Sequence, residues 1–272
     1  MSGFPLSEFF VLFGLGMFGT LAVIPYAFSL NRDKMSQVKQ PLPVLALVSF
    51  LQTALLMALA IGVGLLAAGA VDLGAPYIQA ALAGEAVLNS ILALLPLAVG
   101  VGVLSGALIV LLDRYVFGPH MPEALRAADV KTSAWKRFLA SFYGGLGEEI
   151  LMRLFLVTGF AWILGRFWQN GSGLPANGAY WAAITLAAVL FGLGHLPTTK
   201  AITPLTPLII VRAVLLNGIA GIAFGWLYWQ YGLVAAMIAH FCADIVLHLI
   251  SPMFSSHHGS STPTAEALPT SN

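Results

Sequence analysis

From Phe9 to Leu30 the chain carries no charged residue, and the same holds from Val44 to Ala70 and from Ser90 to Leu112. About 20 apolar residues in a helix span the hydrocarbon core of a bilayer. Such runs leave few other folds open. Over the whole chain 59% of residues are hydrophobic and only 8% are charged. A soluble domain carries roughly 25% charged residues, so the solvent for most of this surface is lipid. A net charge of +1 gives no basic field for nucleic acid. The single cysteine, Cys242, excludes an internal disulfide and a multi-cysteine metal site.

Seven runs read as spans, near Phe9–Leu30, Val44–Ala70, Ser90–Leu112, Gly147–Trp168, Ala179–Leu196, Leu208–Tyr228 and Leu233–Ile250. The stretch from Trp135 to Leu146 is apolar enough to add an eighth membrane-embedded segment. The runs are continuous rather than alternating, which disfavours strands. The expected fold is therefore an all-α, polytopic bundle of seven or eight membrane helices. No Lys or Arg precedes the first run, which reads as a retained span rather than a signal peptide.

Positive residues stay in the cytoplasm. Arg32, Lys34 and Lys39 follow the first run, Arg114, Arg126, Lys131, Lys136 and Arg137 lie between the third and fourth, and Lys200 lies between the fifth and sixth. The alternate loops have almost none. This predicts a multi-pass protein of the plasma (inner) membrane, N-terminus outside and C-terminus cytoplasmic. Three parts are expected: N-terminal membrane helices and a cytoplasmic loop over 1–130, a helical core over 131–252, and a disordered tail over 253–272, rich in Ser, Thr and Pro.

Ionisable groups inside spans are expensive and functional by default. Seven stand out: Glu148, Glu149, Arg153, His195, His240, Asp244 and His248. On a helix Glu149 and Arg153 are i,i+4 neighbours, acid first, and neutralise each other. Glu148 points about 100° away, and Met152 occupies its i+4 place. One glutamate is thus paired and the other free for chemistry. Phe191 shares a helical face with His195, and His240 with Asp244, which can accept a hydrogen bond from the imidazole and fix its tautomer. His248 continues that stripe and reads as interfacial.

The patterns Glu148-Glu149-x-x-x-Arg153, Phe191-x-x-x-His195 and His240-x-x-x-Asp244 resemble the CPBP family, the CAAX proteases and bacteriocin-processing (Abi) proteins, whose type II CAAX prenyl endopeptidases are membrane proteases. The resemblance covers roughly Trp135 to Ile250; the first three helices match only in being apolar. It implies an intramembrane endopeptidase of glutamate type. Glu148 and His195 would activate a water, His240 and Asp244 would bind the oxyanion, and Glu149, Arg153 and Phe191 would support them. Asp244 departs from the Asn of the CAAX enzymes. An ionised Asp repels an oxyanion, so it is either protonated or acts by orienting His240.

The residues themselves agree with such chemistry. Peptide hydrolysis needs an activated water, a proton for the leaving amine and a stabilised oxyanion. No Gly-x-Ser-x-Gly, His-Glu-x-x-His or intramembrane Asp pair offers another route. No cofactor is required, although Glu148, His195 and His240 would also suit a zinc ion with an open position. The expected partners are a peptide or lipidated protein substrate and membrane lipid. Two other readings use the same residues: a non-catalytic scaffold, immunity or regulatory protein, and a transporter with a proton relay, which the lack of inverted repeats disfavours. All three motifs fall in the cytoplasmic half of their runs, so the site should open to that side.

Overall fold

The computed structural model describes residues 3–30, 41–127 and 132–255. Arg32, Lys34, Lys39 and Lys131 lie outside the described residues, as does the expected tail beyond the helix ending at Ser255. Among the described residues there is no β-strand, only one isolated bridge between Gln169 and Pro175. The fold is an all-α polytopic bundle.

We number the long elements α1 (Leu6–Leu30), α2 (Leu42–Ala68), α3 (Leu88–Leu112), α4 (residues 134–165), α5 (Asn177–Gly194), α6 (Pro207–Tyr231) and α7 (Leu233–Asp244). The helix of α7 continues as a π-helical stretch, Ile245–Ile250. Among the described residues six helices are long and apolar enough to cross a membrane: Leu6–Ser29, Val44–Ala68, Leu88–His120, Asn177–Lys200, Pro207–Tyr231 and Leu233–Met253. The expected count of seven or eight is therefore corrected. The fourth run, Gly147–Trp168, is not among them because it carries Glu148, Glu149 and Arg153. Around these residues its walls are protein: it packs against α1, α2, α5 and α7. Nor is Trp135–Leu146 a separate segment, since helix Ala134–Phe142 runs on without a break into π-helical turns, Tyr143–Glu148 and Ile150–Val157, that make up the middle of α4.

Cross-links fix the direction of each element. At one end Gln79 Nε2 donates to both oxygens of buried Glu8 at 3.1 and 3.2 Å, Tyr180 donates to the Val71 carbonyl at 2.6 Å, and the Leu233 amide donates to Gly74 at 3.0 Å. At the other end Lys136 Nζ donates to Ser29 at 2.6 Å, and Arg212 makes a bidentate pair with Asp113 at 2.6 and 2.7 Å. The seven elements thus alternate in direction, and α4 traverses the bundle between the six apolar helices. Gly232, at φ +82°, supplies the left-handed turn between α6 and α7 that a side chain would resist.

Small residues let the inner helices touch. Lipid tails give apolar helices little hydrophobic drive to associate, so close backbone packing holds them. Along α5 and α6, a Cβ at Gly221 would lie 2.5 Å from the Ala188 Cβ, and one at Gly225 would lie 2.6 Å from Ile184. The outer faces carry large apolar side chains instead, with Leu66 and Leu104 both 71% exposed. That inversion of the soluble pattern marks a surface solvated by lipid. The chain is a multi-pass integral membrane protein.

Candidate active site

The π-helical middle of α4 sets two neighbouring glutamates in different surroundings. Glu149 turns inward: its side chain is wholly buried, and its Oε2 lies 3.1 Å from Arg153 Nε. Arg153 is 1% exposed, and its Nη2 donates to the carbonyls of Ala220 and Gly221 on α6 at 3.4 and 3.5 Å. The guanidinium lies between the rings of Phe191 and Phe224, 5.9 and 5.7 Å from their centroids. Glu148 turns to the other side, where 23% of its side chain remains open. Sequence spacing predicts the Glu149–Arg153 pair, and the structure contains it.

His240 on α7 joins the two sides. Its Nδ1 donates to Glu149 Oε1 at 2.6 Å, and its Nε2 faces Glu148 at 3.8 Å and Asp244 at 3.8 Å. The ring is buried, tilted against Phe224 at 5.1 Å and edge-on to Phe191 at 6.0 Å. The expectation that Asp244 fixes the His240 tautomer is corrected: 3.8 Å is too long for a hydrogen bond, whereas the contact to Glu149 is short. Glu149 therefore does more than neutralise Arg153. It holds the imidazole with Nε2 turned toward Glu148.

His195 closes α5. Its Nδ1 donates to the Phe191 carbonyl at 2.8 Å, which leaves Nε2 of the neutral ring as an acceptor. The Phe191 ring meets His195 edge-on at 4.7 Å and so stands between the two histidines. Glu148 lies within the electrostatic reach of His195, His240, Asp244 and Glu149. The three sequence motifs therefore converge on one place, in the half of the bundle toward Lys136 and Lys200.

Glycines make the room. A Cβ on Gly144 would overlap the Asp244 carboxylate and lie 3.1 Å from His240 Nε2, and a Cβ on Gly145 would lie 3.0 Å from Phe241. Gly144 and Gly145 are thus what let α7 press its polar face onto α4. Three further residues of this region escape sequence reasoning. Tyr143 packs on Gly147 and reaches Glu148 electrostatically, Phe224 faces His240, and Arg212, inside the sixth run, is taken up by Asp113. An aromatic or an arginine in an apolar run gives no sign by itself of which neighbour it meets.

As they stand, no three His, Cys, Asp or Glu side chains among the described residues converge closely enough to hold a metal ion.

Residues 130–246 match the family model described as Type II CAAX prenyl endopeptidase Rce1-like. The match covers the helices that carry all three motifs and agrees with the resemblance to the CPBP intramembrane proteases. Fold, site and match together define a CAAX-type membrane protease as the class of protein to which this part of the chain is similar. No curated protein and no solved structure matches the chain.

Proposed function

We propose that this protein is an intramembrane endopeptidase of glutamate type, cutting a peptide bond near the cytoplasmic face of the membrane. What supports this reading most is the convergence of the three motifs on the buried His240 ring, with a sealed carboxylate at 2.6 Å behind it and an open one at 3.8 Å before it. A water between Glu148 and the bare Nε2 of His195 loses a proton to them as it attacks the scissile carbonyl. The protonated His240 donates from Nε2 to the oxyanion that forms, while Glu149 secures its Nδ1. The proton taken from water then passes to the leaving amine. General acid–base transfer and oxyanion stabilisation of this kind each contribute on the order of 10²–10⁴-fold.

The substrate we infer is a peptide or lipid-anchored protein tail that reaches the site from the inner half of the bilayer. The described cations Lys136 and Lys200 mark the end of the bundle nearest the site, and the stacked Tyr180 and Trp229 mark the opposite end. Positive residues inside and aromatic residues at an interface fit a cytoplasmic opening, in the plasma (inner) membrane, with the N-terminus outside.

The test is cleavage of a farnesylated peptide ending in a CAAX sequence by the purified chain in vesicles, beside its unprenylated form. Wild type should cut it and Glu148→Gln should not. A chelator arm with metal analysis separates the zinc version of the same reaction. Wild-type protein that binds the peptide but never cuts it would support a non-catalytic scaffold instead. Sidedness is read by labelling single cysteines at positions 148, 195 and 240 in a Cys242→Ser background. An impermeant reagent that reacts only from outside would overturn the orientation.

A further inference from the structure

Three carboxylates surround His240: Glu149 on Nδ1, and Glu148 and Asp244 each 3.8 Å from Nε2. Glu149 has Arg153 as its counter-charge. Glu148 faces the reacting water. Asp244 is held another way. One oxygen, Oδ2, lies against Gly144, close enough that a Cβ there would overlap it. The other, Oδ1, lies between two imidazole nitrogens, His240 Nε2 and His248 Nε2, both at 3.8 Å. His248 sits on the π-helical stretch after α7, partly open at 34%, and its Nδ1 is buried without a hydrogen-bond partner.

We propose that His248 is a positioning residue for the peptidase reaction: it supplies the counter-charge that lets the Asp244 carboxylate stand beside an oxyanion held by His240. This rests on the proposed role of His240 as oxyanion donor. A carboxylate near a developing oxyanion disfavours the transition state unless a cation balances it. His240 cannot serve both anions, since its Nδ1 is taken by Glu149 and its Nε2 is needed at the reacting carbonyl. Other groups face this place from the neighbouring elements. Tyr143 and Glu148 on α4 bring no positive charge. Arg137 lies on the helix Ala134–Phe142, which packs against the stretch Ile245–Ile250 that carries His248. His248 brings an imidazole nitrogen to 3.8 Å from Asp244 Oδ1, on the side away from the reaction. The pair keeps the rim of the site near neutrality while leaving Asp244 to fence the His240 ring.

The coupling is measurable by a double-substitution cycle on the full chain, with the farnesylated peptide as substrate. His248→Gln should lower kcat about tenfold, with KM within about twofold, when residue 244 is Asp. In an Asp244→Asn background the same change should alter kcat less than about twofold, because the charge to be balanced is gone. His248→Lys should recover most of the loss, which a purely structural histidine would not allow. Equal losses in both backgrounds, or a lysine variant as poor as the glutamine one, overturn the inference. The peptidase reading would then still stand on wild-type cleavage and its absence in Glu148→Gln. If wild type does not cut the peptide, the peptidase reading fails, and thermal unfolding in detergent decides the pairing itself. The shift caused by His248→Gln should depend on whether residue 244 is Asp or Asn, and additive shifts overturn the pairing.

Discussion

The site has a sealed side and an open side, and they are one residue apart in sequence. On the sealed side Glu149 is wholly buried, bound to Arg153 and to His240 Nδ1. On the open side Glu148 keeps 23% of its side chain exposed and faces the far nitrogen of the same ring at 3.8 Å. The two glutamates have identical chemistry, so the difference in their surroundings comes from where α4 turns them. A buried carboxylate held by Arg153 on one side and by the His240 ring on the other is fixed and shut off from water. A half-open one is not. In this membrane site burial, rather than residue type, separates the two carboxylates that face His240.

The largest effect should come from breaking the open side. Glu148→Gln keeps size and polarity but removes the base, and cleavage should fall on the order of 10³-fold or more, with an unchanged melting temperature in detergent. Glu149→Gln should also lower cleavage, because it loosens His240, but it should melt earlier as well. If both variants melt alike, the division between the two sides is wrong.

Next in size is Arg153→Ala on the sealed side. It leaves Glu149 with His240 as its remaining partner in a buried site, and removing one partner of a buried ion pair costs about 3–5 kcal/mol. The expected result is a sharp drop in the yield of folded protein, recovered in part when Glu149→Gln is added. A variant that folds in normal yield would mean that water reaches Glu149.

Gly144→Ala probes the seam where the two sides meet. The added Cβ would overlap the Asp244 carboxylate, and overpacking of this kind costs about 1–3 kcal/mol. Cleavage should fall more than stability does, since the displaced group stands beside His240 Nε2. The outcome to watch is an unchanged kcat, which would place the reacting carbonyl elsewhere.

Much of this comparison is legible in the sequence alone. The i,i+4 spacing predicts the Glu149–Arg153 pair because a helix fixes which side chains can meet within it. It also predicts that Glu148 lacks such a partner. The contact between Glu149 and His240 is not legible, because 91 residues separate them and no local rule reaches across helices. The His240–Asp244 spacing suggests a local hydrogen bond instead, and the inter-helix contact takes its place. The span count departs from expectation for a related reason. The run Gly147–Trp168 is apolar enough on paper, yet it carries Glu148, Glu149 and Arg153 in its first two turns and packs them among neighbouring helices, so its charges and its neighbours, rather than its length, decide what it is.

The smallest effect should come from Phe191→Leu, and it sharpens the comparison most because Phe191 belongs to both sides. Its ring lies 5.9 Å from the Arg153 guanidinium on the sealed side and 4.7 Å from the His195 ring on the open side. Its backbone carbonyl, which accepts from His195 Nδ1, is untouched by the substitution. Leucine keeps most of the buried volume, and such swaps usually cost less than about 1.5 kcal/mol. What is lost is the aromatic edge against His195 and the ring face toward Arg153, each worth about 0.5–1.5 kcal/mol in similar settings. The expected result is a loss of cleavage of about threefold to tenfold, carried by kcat, with a melting shift of a few degrees at most. The backbone bond would still present His195 Nε2, and the Glu149 bond would still present His240 Nε2, so the reacting atoms stay near their places. A Phe191→Leu protein as inactive as Glu148→Gln, yet folded, would show that the ring sets the geometry between the histidines and that the two sides are one unit.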